Sequence, residues 1–107
     1  MSEILDRIRT LVQSGDYRVS EHGYDELAED GIFASDAIAG VEAAVIVEEY
    51  ADAWKGPAIL LLENDQNGRP IHAVWAIPKG RPGPAILVTA YRPDPTRWTD
   101  DFRSRKK

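Results

Sequence analysis

The hydrophobic spacing of this chain changes once, near residue 44, and that change constrains the fold more than any other feature. Before it, Ile4, Leu5, Ile8, Leu11 and Val12 recur three and four residues apart, which predicts a helix over 3–14 with Ser2 as N-cap and Gly15 as stop. Ser20 is placed to cap a second helix that carries His22, Tyr24 and Leu27 as far as Gly31. Ser35 reads as the N-cap of a third, with Asp36 at the positive end of its dipole, Ile38 and Val41 as its buried stripe and an end near Ala43. After residue 44 the apolar residues run in short blocks: Val45-Ile46-Val47, Pro57 to Glu63, Ile71 to Ile77 and Ala85 to Tyr91. Asp65-Gln66-Asn67-Gly68 supplies turn chemistry between two of them, because Asn-Gly tolerates the positive φ values of tight hairpins. Connections this short predict an antiparallel meander, since parallel neighbours need a crossover of about a dozen residues.

Two segments fall outside this scheme. Tyr17-Arg18-Val19 is too short to classify, and Asp94-Pro95 reads as the N-cap and first residue of a short C-terminal helix with Trp98 and Phe102 on one face. Helices first and strands later predict an α+β domain: N-terminal helices packed on an antiparallel sheet of about four strands, with a short C-terminal helix. The 107 residues are enough for one domain with a single core, and neither a repeat nor a linker divides them. Trp54, Trp75 and Trp98 are read as core residues.

Composition narrows the chemistry. With no cysteine, a disulfide scaffold, a thiol nucleophile and every cysteine-based metal site are excluded. No apolar run approaches the ~20 residues that cross a bilayer, and Met1-Ser2-Glu3-Ile4 lacks the order of a signal peptide, so a cytoplasmic protein without membrane contact is expected. The net charge of −5 is unevenly spread: residues 1–53 hold 3 basic and 13 acidic side chains, residues 54–107 hold 10 basic and 5 acidic. Overall acidity argues against nonspecific nucleic-acid binding, while the second half can still present a basic surface. The acidic helices suit a basic protein partner.

Three places carry polar residues that a purely structural pattern does not require. His22 follows Ser20-Glu21, His72 interrupts the apolar strand Ile71-His72-Ala73-Val74-Trp75, and Thr89-Ala90-Tyr91-Arg92 closes the last strand. Alternation puts His72, Val74 and Ala76 on one face of their strand; in the next it groups Leu87, Thr89 and Tyr91. His72 is then expected across from, or diagonal to, Thr89 or Tyr91. Each residue also has a plainer role: His22 can satisfy backbone or carboxylate groups, His72 can be a hydrogen-bonded core residue, Thr89 and Tyr91 are good strand formers, and Arg92 can pair with a carboxylate. The histidines lie on separate segments without a spaced ligand motif, Ser20 two residues before His22 is no triad, and Lys79-Gly80-Arg81-Pro82-Gly83 is a hairpin connection rather than a phosphate-cradling loop. No metal or other cofactor is expected.

Ser20-Glu21-His22, Gly31-Ile32 with Ser35-Asp36, Val45 to Tyr50, Gly68-Arg69-Pro70-Ile71-His72 and Val88-Thr89-Ala90-Tyr91 occur in an order that resembles the family called domain of unknown function 4258, over roughly residues 17–92. That family looks related to the RelE/ParE-like toxins of toxin–antitoxin pairs. The resemblance implies N-terminal helices against an antiparallel sheet, and a metal-independent endoribonuclease or an inhibitory binding module. Gly23, Asp25 and Glu26 make the second helix acidic where the family pattern has alanine and basic residues. For RNA cleavage, His22 and His72 are the candidate base and acid, Tyr91 a stacking or hydrogen-bonding group and Arg92 a phosphate holder. Lys79, Arg81 and Thr89 are the candidate substrate-binding residues. The implied partners are an antitoxin protein and RNA or the ribosome. The alternative is a noncatalytic protein-interaction module, dimeric through an open sheet edge.

Overall fold

A computed structural model describes residues 2–106. Helix α1 (Glu3–Gln13) starts where Ser2 Oγ accepts the Leu5 amide, and α2 (Glu21–Glu29) where Ser20 Oγ accepts the Gly23 amide at 2.9 Å, as the capping residues predict. Helix α3 (Ala34–Ala39) is capped at Phe33, without a side-chain bond, and not at Ser35; it tightens into a 3-10 turn over Gly40–Ala43. The strands are β1 (Tyr17–Val19), β2 (Val45–Tyr50), β3 (Ala58–Asn64), β4 (Pro70–Ala76) and β5 (Ala85–Tyr91).

The sheet has five strands in the order β1-β5-β4-β3-β2, one more than expected. The meander from β2 to β5 is antiparallel, and the unclassified Tyr17-Arg18-Val19 joins its β5 edge in parallel. Parallel pairing is open to β1 because the whole meander separates it from β5 in the chain, ample length for a crossover.

One face of the sheet is covered by the helices. Ile4, Leu5, Ile8, Leu27, Ala37 and Val41 pack there on Ile59, Leu61, Ile71, Ala73, Trp75, Leu87 and Ala90. Trp75 is fully buried in this layer, as read from the sequence, whereas Trp54 is 79% exposed on the loop between β2 and β3. That loop has no layer above it, so the indole has nothing to pack into except the Lys55 side chain, whose ammonium lies 5.1 Å from the ring centroid. Gly23 allows α2 to lie close on β5: a Cβ there would come within 2.9 Å of the Leu87 carbonyl oxygen.

A bulge in β5 decides what the other face carries. Val74 pairs with Thr89 but Trp75 pairs with Leu87, so Val88 is an extra residue in the ladder. Ser20 secures this irregular stretch, its amide donating to the Leu87 carbonyl and its hydroxyl to the Val88 carbonyl at 2.8 Å. The bulge corrects the expected grouping of Leu87 with Thr89 and Tyr91. Leu87 and Ala90 face the helices, while Thr89 and Tyr91 turn to the side of His72.

Residues 94–106 cover that second face and do not form the expected C-terminal helix. Amides of Arg97 and Trp98 reach the Asp94 carbonyl and close one turn; then Thr99 and Asp101 capture neighbouring hydroxyl and backbone groups and compete with helical bonding. Phe102 takes a left-handed conformation (φ 59°), and the chain returns so that Trp98 and Arg105 form an antiparallel bridge.

Candidate functional site

Tyr91, the last residue of β5, lies directly across from His72 in the ladder. The imidazole is fully buried. Its Nε2 is 2.8 Å from the Phe102 carbonyl oxygen and its Nδ1 is 3.3 Å from the Tyr91 hydroxyl. A carbonyl only accepts, so Nε2 carries the proton, and neutral His72 offers the Nδ1 lone pair to the Tyr91 hydroxyl. Burial lowers the His72 pKa and outweighs the opposing effect of the Phe102 carbonyl, keeping the ring neutral near pH 7. Tyr91 is itself pushed above the ordinary phenol range, mainly by burial.

Trp98 closes over this pair, edge-on to His72 at 4.4 Å between centroids. Arg105 stacks 4.9 Å from the Trp98 ring and forms a 2.5 Å ion pair with Glu48 of β2. His72, Trp98 and Arg105 thus dock the C-terminal segment on the sheet.

Beside the docked segment a cleft of about 620 Å³ is lined by Tyr91, Arg92, Asp94, Thr96, Arg97, Trp98, Arg105 and Lys106. Four of the eight side chains are cations and one is a carboxylate, in a chain of net charge −5. Arg92 is committed to structure: it pairs with Asp65 at 2.8 Å, donates to the Pro70 carbonyl at 3.1 Å, and its own amide bonds Asp30. Asp65 in turn accepts the Asn67 and Arg69 amides, so Arg92 braces the β3–β4 turn. Among the described residues the side chains of Arg97 and Lys106 make no hydrogen bond or ion pair, which leaves them as the cations available to an anionic ligand.

The family described as Domain of unknown function (DUF4258) matches residues 19–92. The chain belongs to this family. Comparison with curated proteins and with solved structures finds no match. The DUF4258 span contains every candidate residue read from the sequence, but the fold does not gather them all. Tyr91 and Arg92 line the cleft, and His72, buried behind it, reaches Tyr91. Thr89 shares the face of Tyr91 but pairs with Val74 and does not line the cleft. His22 sits on the helix-covered side, its side chain 66% exposed and 3.5 Å from Glu26 one helical turn on, and it does not meet His72. Lys79 and Arg81 occupy the loop entering β5, the end opposite Tyr91; seven residues of strand, roughly 20 Å, separate the two.

Asp94, Arg97, Trp98, Arg105 and Lys106 lie beyond the DUF4258 match and supply most of the cleft. Sequence reading missed them as a site because a short helix was assigned from Asp94 and residues 103–107 were read as a basic tail. The available signal was the basic run Arg103-Ser104-Arg105-Lys106-Lys107, of which Lys107 is outside the described residues.

Proposed function

We propose that the protein is a RelE/ParE-like toxin component that binds single-stranded RNA in the C-terminal cleft and cleaves it without a metal ion. The supporting observation is the convergence of Arg97, Lys106, Tyr91 and Trp98 on one cleft of a chain that is acidic elsewhere. Cations paired with aromatic side chains suit a flexible phosphate backbone with unstacked bases. A side chain tied down as Arg92 is cannot swing to a ligand, so Arg97 and Lys106 carry the phosphate-holding role in its place.

Cleavage needs a group that takes the 2′-hydroxyl proton and cations that stabilise the charged phosphorane. Tyr91 backed by His72 meets the first need. The 2′-hydroxyl proton passes to the Tyr91 oxygen as the Tyr91 proton moves to His72 Nδ1. The 2′-oxygen then attacks phosphorus, and the departing 5′-oxygen takes a proton from solvent, leaving a 2′,3′-cyclic phosphate. Arg97 and Lys106 face the developing charge, and the Phe102 carbonyl supports the imidazolium through Nε2. An antitoxin protein would act by covering this cleft.

The test is induced expression in a bacterial host without a cognate partner, beside RNA incubated with purified protein in a chelator. Growth arrest with cyclic-phosphate ends, both lost in Tyr91→Phe and retained in His22→Ala, is the expected result. Abundant folded protein that neither arrests growth nor cuts RNA overturns the reading. That outcome would favour a noncatalytic interaction module that pairs with a protein or a second copy through an open sheet edge.

A further inference from the structure

Asp94 is the one carboxylate in the lining of the cationic cleft, and the turn it initiates accounts for only half of it. Its Oδ1 accepts both the Thr96 amide and the Thr96 hydroxyl at 2.8 Å, and its own carbonyl receives the amides of Arg97 and Trp98. These bonds hold the carboxylate in place. Among the described residues Oδ2 makes no hydrogen bond, and Asp94 lines the cleft with Arg97 and Lys106. The Thr96 bonds, together with the neighbouring cations, lower the Asp94 pKa from its ordinary value.

A fixed acceptor in a cleft lining that it shares with phosphate-holding cations places a demand on the ligand. A phosphate oxygen is repelled by Oδ2, so the group that faces it must be a neutral hydrogen-bond donor close to a phosphate. In a nucleic-acid strand the ribose 2′-hydroxyl is such a donor: it adjoins the 3′-phosphate and occurs at every position whatever the base. DNA has no counterpart. We infer that Asp94 is a specificity residue that accepts a hydrogen bond from a ribose 2′-hydroxyl and makes the cleft select RNA over DNA. This inference rests on the proposal that the cleft binds RNA, and it adds the residue that sets the sugar preference.

The sign of the charge effect separates this role from a structural one. Removing the carboxylate charge from a cationic cleft strengthens phosphate binding in general, so affinity for DNA holds or rises in Asp94→Asn while the preference for RNA collapses. A variant that merely loosened the turn would weaken both. Asp94→Asn keeps an oxygen to accept from Thr96.

The measurement is fluorescence anisotropy of the intact chain with labelled single strands of matched sequence, about ten nucleotides long, in ribo and deoxyribo forms. Circular dichroism checks the fold of the variant, and both the wild-type (Asp94) and the Asp94→Asn protein carry Tyr91→Phe, which blocks cleavage, so that the RNA stays uncut through each titration. Wild type is expected to favour RNA by about tenfold, the scale of one hydrogen bond to a charged acceptor, and Asp94→Asn to bring the ratio near one. A variant that retains the wild-type ratio overturns the inference, and so does a wild type that binds both strands equally, although RNA binding itself then stands. Failure of the wild type to bind either strand overturns the RNA reading of the cleft and this inference with it.

Discussion

The two faces of the sheet use the same strands to opposite ends. Toward the helices, Ile59, Leu61, Ile71, Ala73, Trp75, Leu87 and Ala90 form a closed apolar layer. Toward the C-terminal segment, Glu48, His72, Tyr91, Trp98 and Arg105 are joined by hydrogen bonds, aromatic edges and an ion pair. The first face buries area and is nondirectional, so many apolar side chains would serve; the second depends on particular donors and acceptors meeting. Global stability therefore resides in the helix-covered layer, and the shape of the candidate site resides in the other.

The helix-covered layer has one exception. Glu63, 1% exposed, accepts a hydrogen bond from the Trp75 indole at 3.2 Å, while its Oε1 has no partner among the described residues. Gly40 closes over it, where a Cβ would come within 2.7 Å of that oxygen. Burial raises the Glu63 pKa to about 8, against the smaller opposing effect of the indole. The carboxyl is thus held protonated at neutral pH, which lowers the cost of leaving it in an apolar layer.

The largest effect that would break the comparison is expected from Trp75→Ala. It leaves a cavity in the closed layer and strips Glu63 of its donor, and chemical denaturation should show a loss of about 3–5 kcal/mol. A loss no larger than that from an exposed residue such as Trp54 would mean that the two faces do not divide stability from site in this way.

Next, and with an effect of similar size, the faces should respond oppositely to pH. Glu63 holds its proton in the folded state up to about pH 8, whereas in the unfolded chain it ionises near its ordinary value of 4.5. The folded state binds more protons across that window, so this group makes stability fall as pH rises from about 4.5 to 8. Glu63→Gln should remove that component, so its stability relative to wild type should be higher at pH 9 than at pH 4 by an amount on the order of 4–5 kcal/mol. Equal gains at both values would show that Glu63 does not titrate with folding.

The smallest effect is expected at His72. Its folded pKa is lowered, so below the ordinary value of 6.5 the unfolded or undocked state binds the extra proton and the docked state loses stability as pH falls. Trp98 fluorescence should report release of the segment in mild acid while far-ultraviolet circular dichroism stays unchanged. Coincident loss of both signals would mean that the segment and the helix-covered core unfold as one unit.

Much of the architecture was legible in local chemistry. Ser2 and Ser20 cap the helices that they precede in sequence, and β5 spans the predicted Ala85–Tyr91. These features rest on interactions within a few residues, which is why hydrophobic period and capping residues reveal them. The pairing of β1 with β5 was not legible, because three residues carry no period and their partner lies at the far end of the meander. Nor was the fate of Asp94-Pro95, where a good helix start is overruled by Trp98 packing on His72 and by the side-chain bonds of Thr99 and Asp101.

The candidate site shows the same division. Sequence alone singled out His72 and Tyr91, since a histidine in an apolar strand and a tyrosine closing the next are visible as residue types. It also determined the α+β class, through a helical period that gives way to strands joined by short turns. Only the tertiary structure decided that the two residues meet. One extra residue at Val88, held by Ser20 from a distant segment, turns Tyr91 to the face of His72. In the same way, docking of residues 94–106 makes Asp94, Arg97 and Lys106 into the wall of a cleft. Side-chain alternation is local, whereas a bulge and a docked segment are set by contacts between residues far apart in the chain.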